Sequence, residues 1–124
     1  MKKTGITIFA LTGILIILAA FNTAPDTTFS DPPKNIPDSV WAVVEKSCYD
    51  CHSSDGNGMA KAKINFDKWD DYSSDKQVSK AQDICAELQK GKMPPSKHRK
   101  NNPETIPTDV EVARICTWVQ QIGK

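Results

Sequence analysis

The chain has 124 residues, of which 39% are hydrophobic and 25% are charged, and this composition is typical of one small globular domain. Its 16 basic and 15 acidic side chains give a formal net charge of +1. The charge argues against a nucleic-acid-binding protein, because no excess of positive charge is present to neutralise phosphates.

Residues 1–24 predict a secretory signal peptide or an N-terminal membrane anchor. Lys2 and Lys3 precede an uncharged, largely apolar run over residues 5–21, a pattern typical of export signals. Cleavage and retention as a membrane tether both stay open, since the run is at the short end of what spans a bilayer. Either outcome predicts a periplasmic domain, or one at the extracytoplasmic face of the cytoplasmic membrane.

Residues 25–37 predict a Pro-rich linker. Four prolines lie there among Asp, Thr, Ser and Asn residues, without a periodic apolar pattern that would bury surface. We therefore expect one folded domain over residues 38–124.

The most informative motif is Cys-x-x-Cys-His at residues 48–52, the attachment signature of a c-type haem. Each thiol adds to one vinyl group of the porphyrin, so the spacing suits two neighbouring edges of one macrocycle. The motif predicts one covalent haem c held by Cys48 and Cys51, with His52 as the proximal iron ligand. A structural zinc ion bound by the four cysteines of the chain is the alternative.

A short amphipathic helix is predicted to lead into this motif. We expect Asp38 or Ser39 to cap its N-terminus, and apolar residues at helical spacing continue to Cys48. A motif at the C-terminal end of a helix argues against a thioredoxin-like site, in which Cys-x-x-Cys begins a helix.

Two longer amphipathic helices are predicted in the second half of the chain. One spans residues 75–90, and the other begins after Thr108, which forms a capping box with Glu111. Cys85 and Cys116 are predicted on their inward faces. Because buried thiols in an oxidising compartment tend to pair, we expect a disulfide between these two cysteines.

The loop after the second helix carries the candidate distal ligand, Met93. A thioether sulfur is a soft, uncharged iron ligand, and Pro94 and Pro95 directly after it stiffen the loop. His98 on the same loop is a competing ligand, and an open distal position is a further alternative. Met59 lies too close to the motif to reach the opposite face of a haem.

The same loop is basic, with no acidic residue in it. Such a loop predicts either docking of an acidic redox partner or simply a solvated surface. Its basic residues are Lys90, Lys92, Lys97, Arg99 and Lys100.

Trp69 belongs to an aromatic segment between the motif and the second helix. Two uses are open for it: a core side chain, or an N–H donor to a haem propionate.

Four segments together resemble a family of small bacterial haem-binding domains related to cytochrome c, over about residues 34–121. The segments are residues 48–53, 65–69, 91–95 and 102–104. The resemblance implies covalent haem c, with His52 as the proximal ligand and Met93 as the distal one.

The chain departs from mitochondrial-type cytochromes c in two respects. Val40 and Val44 stand where those proteins place a glycine and an aromatic residue for contact with the last helix. No proline follows the motif closely, so the sequence does not identify the partner of the His52 N–H group.

These observations predict an all-α, cytochrome c-like single domain of about three main helices around a covalently bound haem. The expected function is transfer of single electrons between redox partners outside the cytoplasmic membrane, without enzymatic activity. A haem peroxidase or gas-sensing domain with an open or labile distal position is the alternative, and a haem-bearing accessory module of a membrane complex is a third.

Overall fold

The computed structural model describes residues 31–124, which form an all-α domain without strands. The predicted fold class is confirmed. The predicted signal or anchor, 1–24, and the first part of the linker lie outside the described residues. Six α-helices and two 3₁₀ helices follow one another. The α-helices are α1 (Asp38–Ser47), α2 (Tyr49–His52), α3 (Gly58–Lys63), α4 (Ser74–Gln89), α5 (Ser96–Asn101) and α6 (Asp109–Val119), and the 3₁₀ helices are Phe66–Asp71 and Pro103–Thr105.

Helix α1 begins directly after Pro37, which occupies the N-cap position with extended backbone angles and no side-chain cap. The expected capping by Asp38 or Ser39 was wrong. Asp38 lies instead in the first turn, where a negative charge is favourable to the helix dipole. The helix ends as predicted just before Cys48, whose backbone (φ −127°, ψ −38°) separates α1 from α2.

Helices α4 and α6 pack against each other more extensively than any other pair of helices in the described residues. Their positions agree with the predicted helices, and α6 begins with the expected capping box of Thr108 and Glu111. The predicted disulfide is present: Cys85 on α4 is bonded to Cys116 on α6, with Cα atoms 5.1 Å apart.

The end of α4 is set by Gly91, whose φ of +65° is in the left-handed region. The Gly91 N–H donates to the Leu88 carbonyl at 2.9 Å, and the Lys92 N–H to the Glu87 carbonyl at 3.0 Å. This pair of bonds is a Schellman motif, which reverses the chain at a helix end. It delivers Met93 immediately after the turn.

The core is centred on Trp69, whose side chain is completely buried. Its ring stacks on Phe66 with ring centres 6.0 Å apart, and its Nε1–H donates to the Lys34 carbonyl at 3.2 Å. Since its single donor is used by backbone, Trp69 is a core side chain. Of the two uses left open for Trp69, the core side chain is therefore confirmed and the bond to a haem propionate is not.

The last residues of the predicted linker are packed onto the domain. Ile36 is buried, and the Asn35 carbonyl accepts a hydrogen bond from Trp118 Nε1 at 2.7 Å. The expectation that this stretch buries no apolar surface does not hold for Ile36. Within residues 31–124, no helix combines the length and the apolar character that crossing a membrane requires.

Candidate functional site

The Cys-x-x-Cys-His motif lines a cavity through the single turn of α2. The amides of Cys51 and His52 both donate to the Cys48 carbonyl, at 3.2 and 3.0 Å, so the turn holds all three residues together. All three border a cavity of about 330 Å³. Cys48 and His52 also border a second cavity of about 400 Å³.

The imidazole of His52 is held by backbone. Its Nδ1 lies 3.1 Å from the carbonyl oxygen of Ile64, and because a carbonyl only accepts, Nδ1 carries the proton in this contact. In the neutral ring this arrangement leaves the Nε2 lone pair free, which is the form of histidine that binds metals. The structure thus supplies the histidine partner that the sequence did not reveal. Every residue carries a backbone carbonyl, so the residue types in a sequence cannot identify Ile64 as the partner of His52.

Met93 lies on the same cavities as the motif. Four side chains border both of them: Cys48, His52, Leu88 and Met93. Met93 is 40% exposed, whereas the adjacent Pro94 is buried and fixes the start of the loop. The structure therefore brings the predicted distal ligand into the space that the motif borders.

His98 borders the first cavity, but its ring is engaged by neighbouring side chains. The Thr105 hydroxyl donates its proton to the Asn102 carbonyl at 2.8 Å, so the 3.0 Å contact between Thr105 Oγ1 and His98 Nε2 has the histidine as donor. The Asn102 amide contacts the other ring nitrogen at 3.5 Å. With both nitrogens occupied, His98 is a poorer distal-ligand candidate than Met93.

His98 also lies beside the second motif cysteine. The ligand atoms of Asp50, Cys51 and His98 all lie within 4.8 Å of one another. This neighbourhood places His98 next to a cysteine that is predicted to attach the haem.

The disulfide bears on whether the four cysteines could together bind a zinc ion. Cys85 and Cys116 are bonded to each other, which excludes a zinc site made of four thiolates, while Cys48 and Cys51 are free thiols. Desolvation by burial, with a smaller effect of Cys51, raises the pKa of Cys48 to about 12. Cys48 is therefore a protonated thiol at neutral pH.

The five basic residues were predicted on one loop, but Lys97, Arg99 and Lys100 lie on helix α5, and only Lys90 and Lys92 lie between α4 and Met93. Lys90, Lys92, Lys97 and Lys100 are exposed, and Arg99 is half-buried. Lys90 contacts Glu87 at 3.3 Å, an exposed pair of the kind that contributes little to stability.

The sequence profile of the haem-binding domain family matches residues 58–121. The chain belongs to this haem-binding domain family. The matched range contains Met93 and both disulfide cysteines, whereas the Cys-x-x-Cys-His motif at residues 48–52 lies before it, outside the match. No curated protein and no solved structure matches the chain.

The donor set around the cavities fits a haem. The domain offers two free thiols at the vinyl-linking spacing, an imidazole whose Nε2 is available, and a thioether on the same cavities. Imidazole and thioether are both established axial ligands of haem iron. The lining residues of this haem-binding domain therefore suit an iron porphyrin better than a bare divalent cation.

Proposed function

We propose that this haem-binding domain is a monohaem c-type cytochrome that carries single electrons between redox partners outside the cytoplasmic membrane. The observation that carries the proposal is the presence of Cys48, Cys51, His52 and Met93 around one cavity. Cys48 and Cys51 hold the haem through thioether bonds, and His52 and Met93 bind its iron. When bound, the haem supplies a one-electron iron couple.

The axial residues determine what this site does. His52 donates through Nδ1 to the Ile64 carbonyl, which raises the basicity of the nitrogen that binds iron. The Met93 thioether raises the reduction potential relative to histidine alone. With the iron bound by both His52 and Met93, no site on it would be left for a substrate, which favours an electron carrier over an enzyme.

The proposed partner is an acidic redox protein. Five basic side chains lie within a few residues of Met93, four of them exposed. Opposite charge on the partner would steer the encounter and raise the association rate, with a strong dependence on ionic strength. The segment 1–24 completes the proposal as an export signal or membrane tether that delivers the domain to the periplasm or to the outer face of the cytoplasmic membrane.

A second candidate function applies if Met93 does not stay on the iron. Displacement of Met93 would open the distal position to peroxide or to a diatomic gas. The candidate is a haem peroxidase or gas-sensing domain.

The decisive experiment uses the full chain produced in a host that attaches c-type haem outside its cytoplasm. Haem that stays with the chain after acid–acetone extraction supports covalent attachment, and its release contradicts it. A sulfur-to-iron charge-transfer band in the ferric spectrum supports Met93 ligation and the carrier. Rapid binding of carbon monoxide to the reduced wild-type protein would instead support the peroxidase or gas sensor.

A further inference from the structure

The carboxylate of Asp67 bridges the two sides of the Cys-x-x-Cys-His motif. Its Oδ1 accepts a hydrogen bond from the hydroxyl of Tyr49, which lies inside the motif. Its Oδ2 accepts from the backbone N–H of Ser54 at 2.6 Å, two residues after His52. One side chain of the 3₁₀ helix Phe66–Asp71 thereby contacts the chain both before and after the proximal histidine.

Asn65 connects Asp67 to the carbonyl that holds His52. The Asn65 side chain accepts from the Asp67 N–H at 3.1 Å and donates to the Ser54 hydroxyl at 3.2 Å. Asn65 is buried and directly follows Ile64 in the chain. The segment that offers the Ile64 carbonyl is therefore fastened to the motif by Asn65 and Asp67 together.

The shifted pKa values of Asp67 and Tyr49 agree with the hydrogen bond between them. The hydrogen bond from Tyr49 is the main reason that the pKa of Asp67 is lowered, and the Ser54 N–H adds to it. The same hydrogen bond is the main cause that raises the pKa of Tyr49 to about 12. The bridge thus consists of an ionised carboxylate and a protonated phenol throughout the neutral pH range.

We infer that Asp67 is a positioning residue for the proximal histidine: by fastening residues 64–67 to both sides of the motif, it keeps the Ile64 carbonyl on the His52 Nδ1–H group. The inference rests on the proposed function, in which His52 binds the haem iron. A firmly held Nδ1–H bond makes the imidazole a stronger donor and favours the ferric state. Loosening the bridge weakens that bond and raises the midpoint potential.

Three variants of the full-length haem-bearing protein test this role. Asp67→Asn removes one of the two acceptors, and Tyr49→Phe removes one donor without changing any charge. Asp71→Asn is the matched control, because Asp71 is an exposed aspartate of the same 3₁₀ helix and its loss removes the same charge. The measurements are the midpoint potential and, in the reduced protein, the NMR resonance and solvent exchange of the His52 Nδ1–H proton.

We expect a higher midpoint potential and faster Nδ1–H exchange in both Asp67→Asn and Tyr49→Phe. The Nδ1–H exchange rate should stay unchanged in Asp71→Asn. An unchanged Nδ1–H resonance and exchange rate in Asp67→Asn and Tyr49→Phe would overturn the inference, because Asp67 would then hold the 3₁₀ helix to the motif without acting on His52. The inference would also be overturned if Asp67→Asn and Asp71→Asn shifted the midpoint potential equally and Tyr49→Phe did not shift it. The shift would then be an effect of the lost charge alone. A wild-type chain that carries no covalent haem would overturn the proposed function itself, so the two failures are distinguishable.

Discussion

His52 and Ile64 are joined by a 3.1 Å contact between an imidazole nitrogen and a backbone carbonyl across a sequence separation of 12 residues. Ile64 is the C-cap of α3, where the backbone turns to an extended conformation (φ −142°, ψ 129°). Carbonyls at a helix C-terminus have no partner within the helix, so this one is free to accept from the histidine. The predicted histidine ligand is thus oriented without the proline that mitochondrial-type cytochromes c use for this purpose.

Replacement of Met93 tests the proposed distal ligand. In Met93→Ala we expect the sulfur-to-iron charge-transfer band to disappear and carbon monoxide to bind the reduced protein rapidly, because one axial position is vacated. Absorption spectroscopy measures both changes. Met59→Ala is the control, since Met59 is 83% exposed on α3 and its replacement should leave the spectrum unchanged. Retention of the band in Met93→Ala would exclude Met93 as the ligand.

Replacement of His98 tests the competing ligand. Because Thr105 and Asn102 occupy its ring nitrogens, we expect His98→Ala to keep the spectrum of the wild-type protein. The lost hydrogen bonds should lower the free energy of unfolding by about 1 kcal/mol, which urea denaturation measures. A changed iron spectrum in His98→Ala, with an unchanged one in Met93→Ala, would reverse the ligand assignment.

The disulfide is expected to be a major contribution to stability. It closes a loop with a sequence separation of 31 residues, for which the chain-entropy relation gives roughly 3–4 kcal/mol. The double variant Cys85→Ala/Cys116→Ala should be destabilised by that amount in urea denaturation. Wild-type protein treated with a thiol reductant is the control and should lose a similar amount, while keeping its thioether-bound haem. Equal stability of oxidised and reduced wild-type protein would contradict this account.

Trp69→Phe tests the core role of the buried indole. The change leaves the Lys34 carbonyl without the Trp69 N–H and a void beside Phe66, so we expect a loss of about 2–3 kcal/mol in the free energy of unfolding. Thermal or urea denaturation provides the measurement. The haem spectrum and midpoint potential should stay close to those of the wild type. A large shift in the midpoint potential of Trp69→Phe with little loss of stability would instead indicate that Trp69 contacts the haem.

The ion pair between Lys46 and Glu111, at 2.6 Å, predicts a pH dependence of stability. The hydrogen bond from Lys46 is the main reason that the pKa of Glu111 is lowered from its ordinary value of 4.5. The unfolded state therefore binds more protons than the folded state below about that pH. The pair stabilises the fold fully above the ordinary value and is lost as the pH falls through the folded pKa.

The variant Glu111→Gln isolates this effect. Its stability relative to the wild type should be lower at pH 7, and the gap should close as the pH is lowered below 4.5 and through the folded-state pKa of Glu111. Urea denaturation at several pH values measures this gap. Glu104→Gln, at an exposed glutamate, should show a much smaller gap at pH 7. A gap for Glu111→Gln that does not change with pH would contradict the assigned role of the pair.

Local signals in the sequence predicted the three main helices, α1, α4 and α6, and the Cys-x-x-Cys-His motif, but not the short helices α2, α3 and α5. The apolar spacing predicted α4, the Thr108–Glu111 capping box predicted the start of α6, and the motif lies at the end of α1 as expected. Cys85 and Cys116 were predicted to pair from their inward positions, and they do. These features depend on residues within one helix turn of each other, or on a periodicity that a single segment carries.

Contacts between distant segments were decided only by the tertiary structure. The Trp69 N–H donates to the Lys34 carbonyl. The ring of His98 contacts the Thr105 hydroxyl. The ring of His52 is oriented by the Ile64 carbonyl. Backbone carbonyls are identical at every residue, so a sequence cannot show which one a side chain will reach. The sequence by itself therefore determined which residues are chemically able to hold a haem. The packing of the chain decided which of them share a cavity and which are already occupied by other partners.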